Sequence, residues 1–294
     1  MKYRDRTEAG AALGDVLATH PFDNPVVIGL ARGGVVVAAA VAERLGAPID
    51  VIVPRKIGHP LSPEFAIGAV TEIGEPIWGG AIDAAVASWR TAEASTLQDT
   101  ARRLSHRFRA GRPPLSLDGR TAILVDDGIA TGLTMLASAR AAYARGASRV
   151  VAATPVSPVD VRARLAPVVD VLISLIESPG FGAVGEYYVN FEQVSDAEVE
   201  QLLRSTRPQP SEAVDLPGLD EVLASVDQYP TSSAHLARKA RELHAPEKVV
   251  AFFESIPGGT TFADKRDVVN RSSVTELILE QERSEPDEHV VPGD

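Results

Sequence analysis

The sequence contains no cysteine. Disulfide scaffolds, thiolate zinc sites and cysteine nucleophiles are thereby excluded, and a reducing, cytoplasmic setting is expected. No stretch approaches the ~20 apolar residues that span a bilayer. The opening Met1-Lys2-Tyr3-Arg4-Asp5-Arg6 leads into no apolar segment of signal-peptide type, so no membrane partner is expected. Aromatic residues make up only 5% of the 294, so a cluster of them draws notice. The six histidines are scattered without metal-ligand spacing. Basic residues are outnumbered, 29 against 40, for a net charge of −11. That acidity sits mainly after residue 207, where 8 basic residues face 17 acidic ones. An acidic chain is poorly suited to general nucleic-acid binding, which rests on neutralising phosphates. What remains is a chain 45% hydrophobic, enough to bury a core and too much for a wholly disordered, collagen-like or coiled-coil protein.

The first two thirds alternate between two periods. Short apolar, β-branched runs at Val26–Leu30, Ile49–Val53, Thr121–Val125, Val150–Thr154 and Val169–Ile176 read as buried strands. Helical spacing fills Val35–Leu45, roughly Ile82–Ala110, Thr131–Arg145 and Ser157–Leu165. The pattern predicts an α/β domain, a mostly parallel sheet flanked by helices, over 1–204. A polar, proline-punctuated stretch at 205–215 reads as a linker. Residues 216–273 predict a small all-α domain. Its helices carry Leu219, Val222, Leu223 and Val226, then Leu236, Ala240 and Leu243, then Val249, Val250 and Phe253, with Pro246 in the third helix's first turn and a fourth helix at Phe262–Val269. The acidic tail 274–294 is expected to be disordered.

The chemistry concentrates in Ala122-Ile123-Leu124-Val125-Asp126-Asp127-Gly128-Ile129-Ala130-Thr131-Gly132-Leu133-Thr134. An apolar strand delivers two adjacent carboxylates at its carboxyl end, where open α/β sheets bind ligands. A loop of small and hydroxyl residues then opens a helix, whose free N–H groups and dipole suit an anion, with Thr131 and Thr134 as added donors. Carboxylates for hydroxyls or a metal, beside a phosphate cradle, are what a phosphorylated sugar needs. The plain alternative is a Val-Asp-Asp turn capping an ordinary helix. That accounts for Asp127 but not for the Ala-Thr-Gly loop with Thr134. A second loop, Leu30-Ala31-Arg32-Gly33-Gly34, follows the first strand; its glycines permit close backbone approach and Arg32 adds a cation. A dinucleotide-binding turn with Asp50 about 20 residues on is the weaker reading, because Gly29, Gly33 and Gly34 do not make the G-x-G-x-x-G spacing.

The segment 122–134 resembles the phosphoribosyl pyrophosphate (PRPP) motif of type I phosphoribosyltransferases, and the resemblance extends over about residues 1–204. It implies that Asp126 and Asp127 hold the ribose hydroxyls and Mg²⁺, and that Ala130, Thr131, Gly132, Leu133 and Thr134 wrap the 5′-phosphate. Arg32, Gly33 and Gly34 would form the pyrophosphate loop, with Arg55 and Lys56 facing the departing pyrophosphate; the plain reading of that pair is a solvated strand end. Ile57–Val70, rich in Gly and Pro, occupies the place of a flexible lid. Its wording, and the opening Tyr3–Gly10, resemble a branch of the family assigned from sequence. Phe181 and Tyr187, in an aromatic-rich segment, stand where family members build a hood over the nucleobase, the alternative being a small core sealing the sheet edge. Members acting on 6-oxopurines place Asp where this chain has Ala130, so those bases are disfavoured. The resemblance implies Mg²⁺-dependent phosphoribosyl transfer to a nitrogenous base, of nucleotide-salvage type, by a homodimer. The alternative is a PRPP- or nucleotide-sensing regulator without transferase activity; a sugar-phosphate hydrolase is a third. Residues 216–273 resemble a small helical domain that recurs in bacterial proteins, for which a protein partner is a possible role.

Overall fold

The computed structural model describes residues 2–79, 87–205, 218–226, 231–256, 261–262 and 268. The chain divides into two compact units, Met1–Pro208 and Gln209–Asp294. The linker and the acidic tail lie almost wholly outside the described residues, and no described helix is long and apolar enough to cross a membrane.

Unit 1 opens with helix α1 (Arg6–Leu17), which the periodicity of the sequence did not announce. Its start is nonetheless written locally. Asp5 is the N-cap, its side chain accepting from Glu8 N at 2.9 Å, while Glu8 accepts from the N–H of Arg4, one residue before the cap: a D-x-x-E start that resembles a capping box. Then follow β1 (Val26–Leu30), α2 (Gly33–Leu45) and β2 (Ile49–Ile52). After them come β3 (Arg55–His59), β4 (Ser62–Val70), β5 (Ile77–Trp78) and α3 (Ala87–Phe108). The remainder is β6 (Thr121–Val125), α4 (Leu133–Ala144), β7 (Arg149–Pro158), α5 (Val161–Leu165), β8 (Val171–Ser178) and α6 (Asp196–Ser205).

The main sheet has the order β2-β1-β6-β7-β8, parallel throughout. β1, β2, β6 and most of β7 are buried, which explains why they read as unbroken apolar runs rather than alternating ones, whereas the edge strand β8 is only partly buried. Alternate residues nevertheless divide between two cores. Val27, Ile123, Val125, Val151 and Ala153 pack with α1, α2 and α6, whereas Val26, Ile28, Ala122, Leu124 and Val150 pack with α4 and α5. From β1 the chain crosses over α2 to β2 on one side. From β6 it crosses over α4, on the opposite face, to β7 on the other side. The gap between β1 and β6 is therefore the switch point of the sheet, and the loops after both strands diverge from it.

Two segments differ from the sequence reading. Ile57–Val70, read as rich in Gly and Pro at the place of a flexible lid, is regular: β3, β4 and β5 form an antiparallel sheet. One part of it packs Ile57, Ile67 and Val70 on Ala94 of α3; another packs Ala69 and Ile77 on Leu133 and Ala137 of α4. Its tip keeps Leu61 and Phe65 exposed. The glycines that suggested flexibility sit in the ladder, with register shifts around Gly58. The helix expected from Ser157 starts only at Val161, because Val156–Pro158 stay in β7 and pair with Ile176–Ser178.

Unit 2 packs α7 (Leu219–Ala224), α8 (Ser233–Glu242) and α9 (Glu247–Ser255) around Val222, Leu236, Val249 and Phe253. Pro246 is the N-cap of α9 rather than within its first turn, and Leu243 is exposed. Of the fourth helix expected at Phe262–Val269, Val268 is helical, residues 263–267 and 269 lie outside the described residues, and Phe262 itself is not helical. It belongs to a two-residue strand, Thr261–Phe262, antiparallel to Thr231–Ser232.

Candidate active site

The pairing Gly29↔Val125 sets the carboxyl ends of β1 and β6 side by side, so Ala31–Gly34 and Asp126–Asp127 leave the sheet as neighbours. Their approach is so close that side chains are excluded. A Cβ on Gly33 would overlap Asp127 Oδ2 and lie 2.7 Å from its Cγ; one on Gly34 would meet the Val125 carbonyl oxygen at 2.5 Å. The glycine pair is thus required by the acidic pair opposite, and the two sequence motifs are two halves of one surface. The Ala31–Arg32 peptide in this loop is cis.

The carboxylates are not equivalent. Asp126 keeps some accessible surface, yet its carboxyl is desolvated, and its Oδ1 accepts from Asp127 N at 3.0 Å. Burial, with the neighbouring Asp127 charge second, pushes its pKa well above the ordinary carboxylate range; a hydrogen bond between the two carboxyls adds to this, and Lys56 opposes it. Asp127 instead forms an ion pair with Arg6, Nε to Oδ2 at 2.7 Å, and its backbone carbonyl accepts from Tyr188 Oη at 2.6 Å. Tyr188 is itself buried and its phenol is pushed up, by desolvation first and by the Asp127 charge second.

Beyond the acidic pair, Gly132 adopts φ 81° as the N-cap of α4, and no side chain caps the helix start. The first N–H groups of a twelve-residue helix therefore face the loop Ala130–Thr134 without a side-chain partner. Ala130 and Thr131 are exposed, Thr134 is half-buried, and Gly132 and Leu133 are buried. Arg164 adds a long contact of 3.4 Å to the Thr131 carbonyl. Lys56 and the half-buried Arg55 begin β3, just past the carboxyl end of β2, and the Asp126 shift places Lys56 within electrostatic reach of the pair.

Three expected residues are otherwise engaged. Arg32, read as free for phosphate oxygens, is ion-paired at 3.6 Å with Asp196 at the start of α6. Phe181 and Tyr187 stack on each other, with centroids 5.6 Å apart and planes at 17°. Their segment follows β8 and touches the acidic loop at Val184, which fills the space beside Gly128.

Arg6 escaped the sequence reading as a site residue, because its partner lies 121 positions away. Its place within the family-like opening Tyr3–Gly10 and beside the D-x-x-E pattern was the local signal. Asp50, weighed as a dinucleotide ligand, is fully buried against Arg109 (2.8 Å) and Arg145 (2.7 Å) and has a structural role.

Mg²⁺ takes oxygen donors and commonly rests on one or two carboxylates plus substrate phosphates. Two adjacent carboxylates at the sheet mouth, one desolvated beside the other's charge, fit that use. Among the described residues no group of three or more potential ligands could hold an ion as an all-protein cage.

The model of the phosphoribosyl transferase domain matches residues 7–190. Two curated relatives from Mycobacterium tuberculosis, in strains CDC 1551 / Oshkosh and ATCC 25618 / H37Rv, are each provisionally named a phosphoribosyl transferase. Each is 44% identical over 207 residues, covering 68% of this chain and 46% of the relative. The chain thus spans about half the length of the curated relatives it matches. The crystal structure of TT1426 from Thermus thermophilus is similar at 42% identity and a TM-score of 0.60, covering 70% of this chain and all of that one.

Proposed function

The chain belongs to the phosphoribosyl transferase domain family over residues 7–190, and from that premise we propose that it transfers the phosphoribosyl group of PRPP to a nitrogenous base, releasing pyrophosphate. The observation that carries this reading is the meeting, at one switch point, of the glycine loop after β1, the acidic pair after β6 and the uncapped start of α4. On this reading the three would serve pyrophosphate, ribose and 5′-phosphate from one edge of the sheet.

The reaction asks little covalent chemistry of the protein. The bond from C1′ to pyrophosphate breaks, positive charge develops on the ribose, and a ring nitrogen of the base bonds to C1′, losing its proton to solvent or a nearby group. Asp126 and Asp127 would hold the ribose hydroxyls, and Ala130–Thr134 would hold the 5′-phosphate with the N–H groups of α4. This fixes C1′ for in-line attack. Arg55 and Lys56, with the Gly33–Gly34 backbone, would stabilise the leaving pyrophosphate; Arg32 would join them once released from Asp196. Bound Mg²⁺, held by Asp126 and Asp127 and by substrate oxygens, would neutralise phosphate charge. Phe181 and Tyr187 would offer the aromatic face for the base. Ala130 supplies no carboxylate beside that base, which disfavours 6-oxopurines. The reading carries with it a cytoplasmic salvage role and a homodimeric state.

The test is a screen of nucleobases for pyrophosphate release from PRPP and Mg²⁺, run beside the double variant Asp126→Asn, Asp127→Asn. Release stimulated by one base and abolished in the folded double variant is the expected result. Unchanged release in that variant would refute the assignment. PRPP binding with no release on any base would favour a sensing role.

A further inference from the structure

Arg6 is the first residue of α1, the helix that packs on α2. Its guanidinium is fixed from several sides: Nε lies 2.7 Å from Asp127 Oδ2, Nη1 lies 2.8 Å from the Glu192 carbonyl oxygen, and Cζ sits 3.9 Å from the centroid of the Phe191 ring. Both charged partners are largely withdrawn from water, the side chains being 11% and 15% exposed. A guanidinium so placed loses hydration that no helix-docking role requires, since an apolar side chain would anchor α1 at lower cost. With Nη1 engaged by the Glu192 carbonyl, only Nε meets the carboxylate, and the other Asp127 oxygen stays outside the ion pair.

The same residue is held along its backbone. Tyr188 donates to the Asp127 carbonyl, Tyr188 stacks on Phe191 at 5.0 Å, and Phe191 underlies Arg6. Arg6 Nε is also 3.0 Å from the place a Gly33 Cβ would occupy, so the N-terminal arm, the glycine loop and the acidic pair converge on one carboxylate oxygen.

We propose that Arg6 is the positioning residue of this site: it orients the Asp127 carboxylate so that the oxygen outside the ion pair is turned toward a ribose hydroxyl, and it acts on the ligand only through Asp127. The inference rests on the phosphoribosyl reading above. It assigns ribose recognition to a residue outside both site motifs. Without Arg6 the Asp127 carboxylate, beside its like-charged neighbour, is free to turn away.

The test measures binding of PRPP with Mg²⁺, ribose 5-phosphate and inorganic pyrophosphate to the 294-residue wild type, Arg6→Gln, Asp127→Asn and the double variant. Arg6→Gln should weaken the two ribose-containing ligands about tenfold, as expected for loss of one charge-assisted contact, and leave pyrophosphate within about twofold. In the Asp127→Asn background it should add almost nothing. Arg6→Lys, which keeps the charge and guards against a misfolded glutamine variant, should fall between. Equal weakening of all three ligands, or equal loss with and without Asp127, would overturn the proposal by making Arg6 a general structural residue. A wild type that binds pyrophosphate but neither ribose ligand would overturn the phosphoribosyl reading, and this inference with it.

Discussion

Asp50→Asn offers the sharpest test of the packing beneath the site. The Asp50 carboxylate is fully buried and accepts from Arg109 Nε at 2.8 Å, Arg145 Nη2 at 2.7 Å and Leu115 N at 3.1 Å. Arg109 also faces Glu72 at 3.5 Å, and Glu72 accepts from Val53 N at 3.0 Å, just ahead of Arg55 and Lys56. Two carboxylates therefore balance two guanidiniums in a nearly dry pocket. The amide keeps the shape and removes one charge, leaving two cations against Glu72 alone. Breaking a buried pair from one side costs about 3–5 kcal/mol, a large part of the ~5–15 kcal/mol that stabilises a domain. The melting temperature of unit 1 should fall by about 6–20 °C. Both tryptophans of the chain, Trp78 and Trp89, pack in the β5–α3 cluster of this unit, so urea unfolding followed by their fluorescence reads it directly. The midpoint should drop with an unchanged slope. As a control, Asp160→Asn removes an exposed pair to Arg164 and should cost less than about 0.5 kcal/mol. A loss below about 1 kcal/mol for Asp50→Asn would refute the buried-network account.

Other expectations follow the same logic. Because burial and the Asp127 charge raise the Asp126 carboxyl, the folded chain binds that proton more tightly than the unfolded chain. The associated stability is complete below the ordinary carboxylate value of about 4 and is lost as pH rises through the raised value. Asp126→Asn should therefore gain stability relative to wild type as pH rises above about 4, and a constant difference across that range would contradict the assignment. Gly33→Ala drives a methyl group into Asp127 and should cost about 1–3 kcal/mol and abolish PRPP binding; calorimetric scans and titration both read this. Asp196→Asn frees Arg32, so pyrophosphate affinity should rise about two- to fivefold at low salt and less at high salt; unchanged affinity would mean that the pair does not compete with the ligand.

How much of this was legible in sequence depended on whether the cause was local. The sheet strands stood out because burial makes β1, β2, β6 and most of β7 short apolar runs, and the partly buried edge strand β8 is apolar enough to follow them. The two loops stood out because close backbone approach admits only glycine at Gly33 and Gly34, and an acidic pair at a strand end is conspicuous. Where partners lie far apart, pattern reading failed. Arg6 and Asp127 meet only after the whole domain folds, and nothing local marks Arg109 and Arg145 as the partners of Asp50. The β3–β5 sheet was hidden by its glycines and prolines, whose turn-forming character outweighed a weak alternation. Arg32 shows the converse: the motif places it correctly at the loop, but only tertiary structure reveals Asp196 as its partner.

The most direct measurement of the central claim is isothermal titration of the purified 294-residue chain with PRPP in the presence of Mg²⁺, repeated with Asp126→Asn, Asp127→Asn. The account predicts saturable one-to-one binding in the micromolar range that disappears in the folded double variant. Absence of binding by the wild type, or equal binding by the variant, would contradict it.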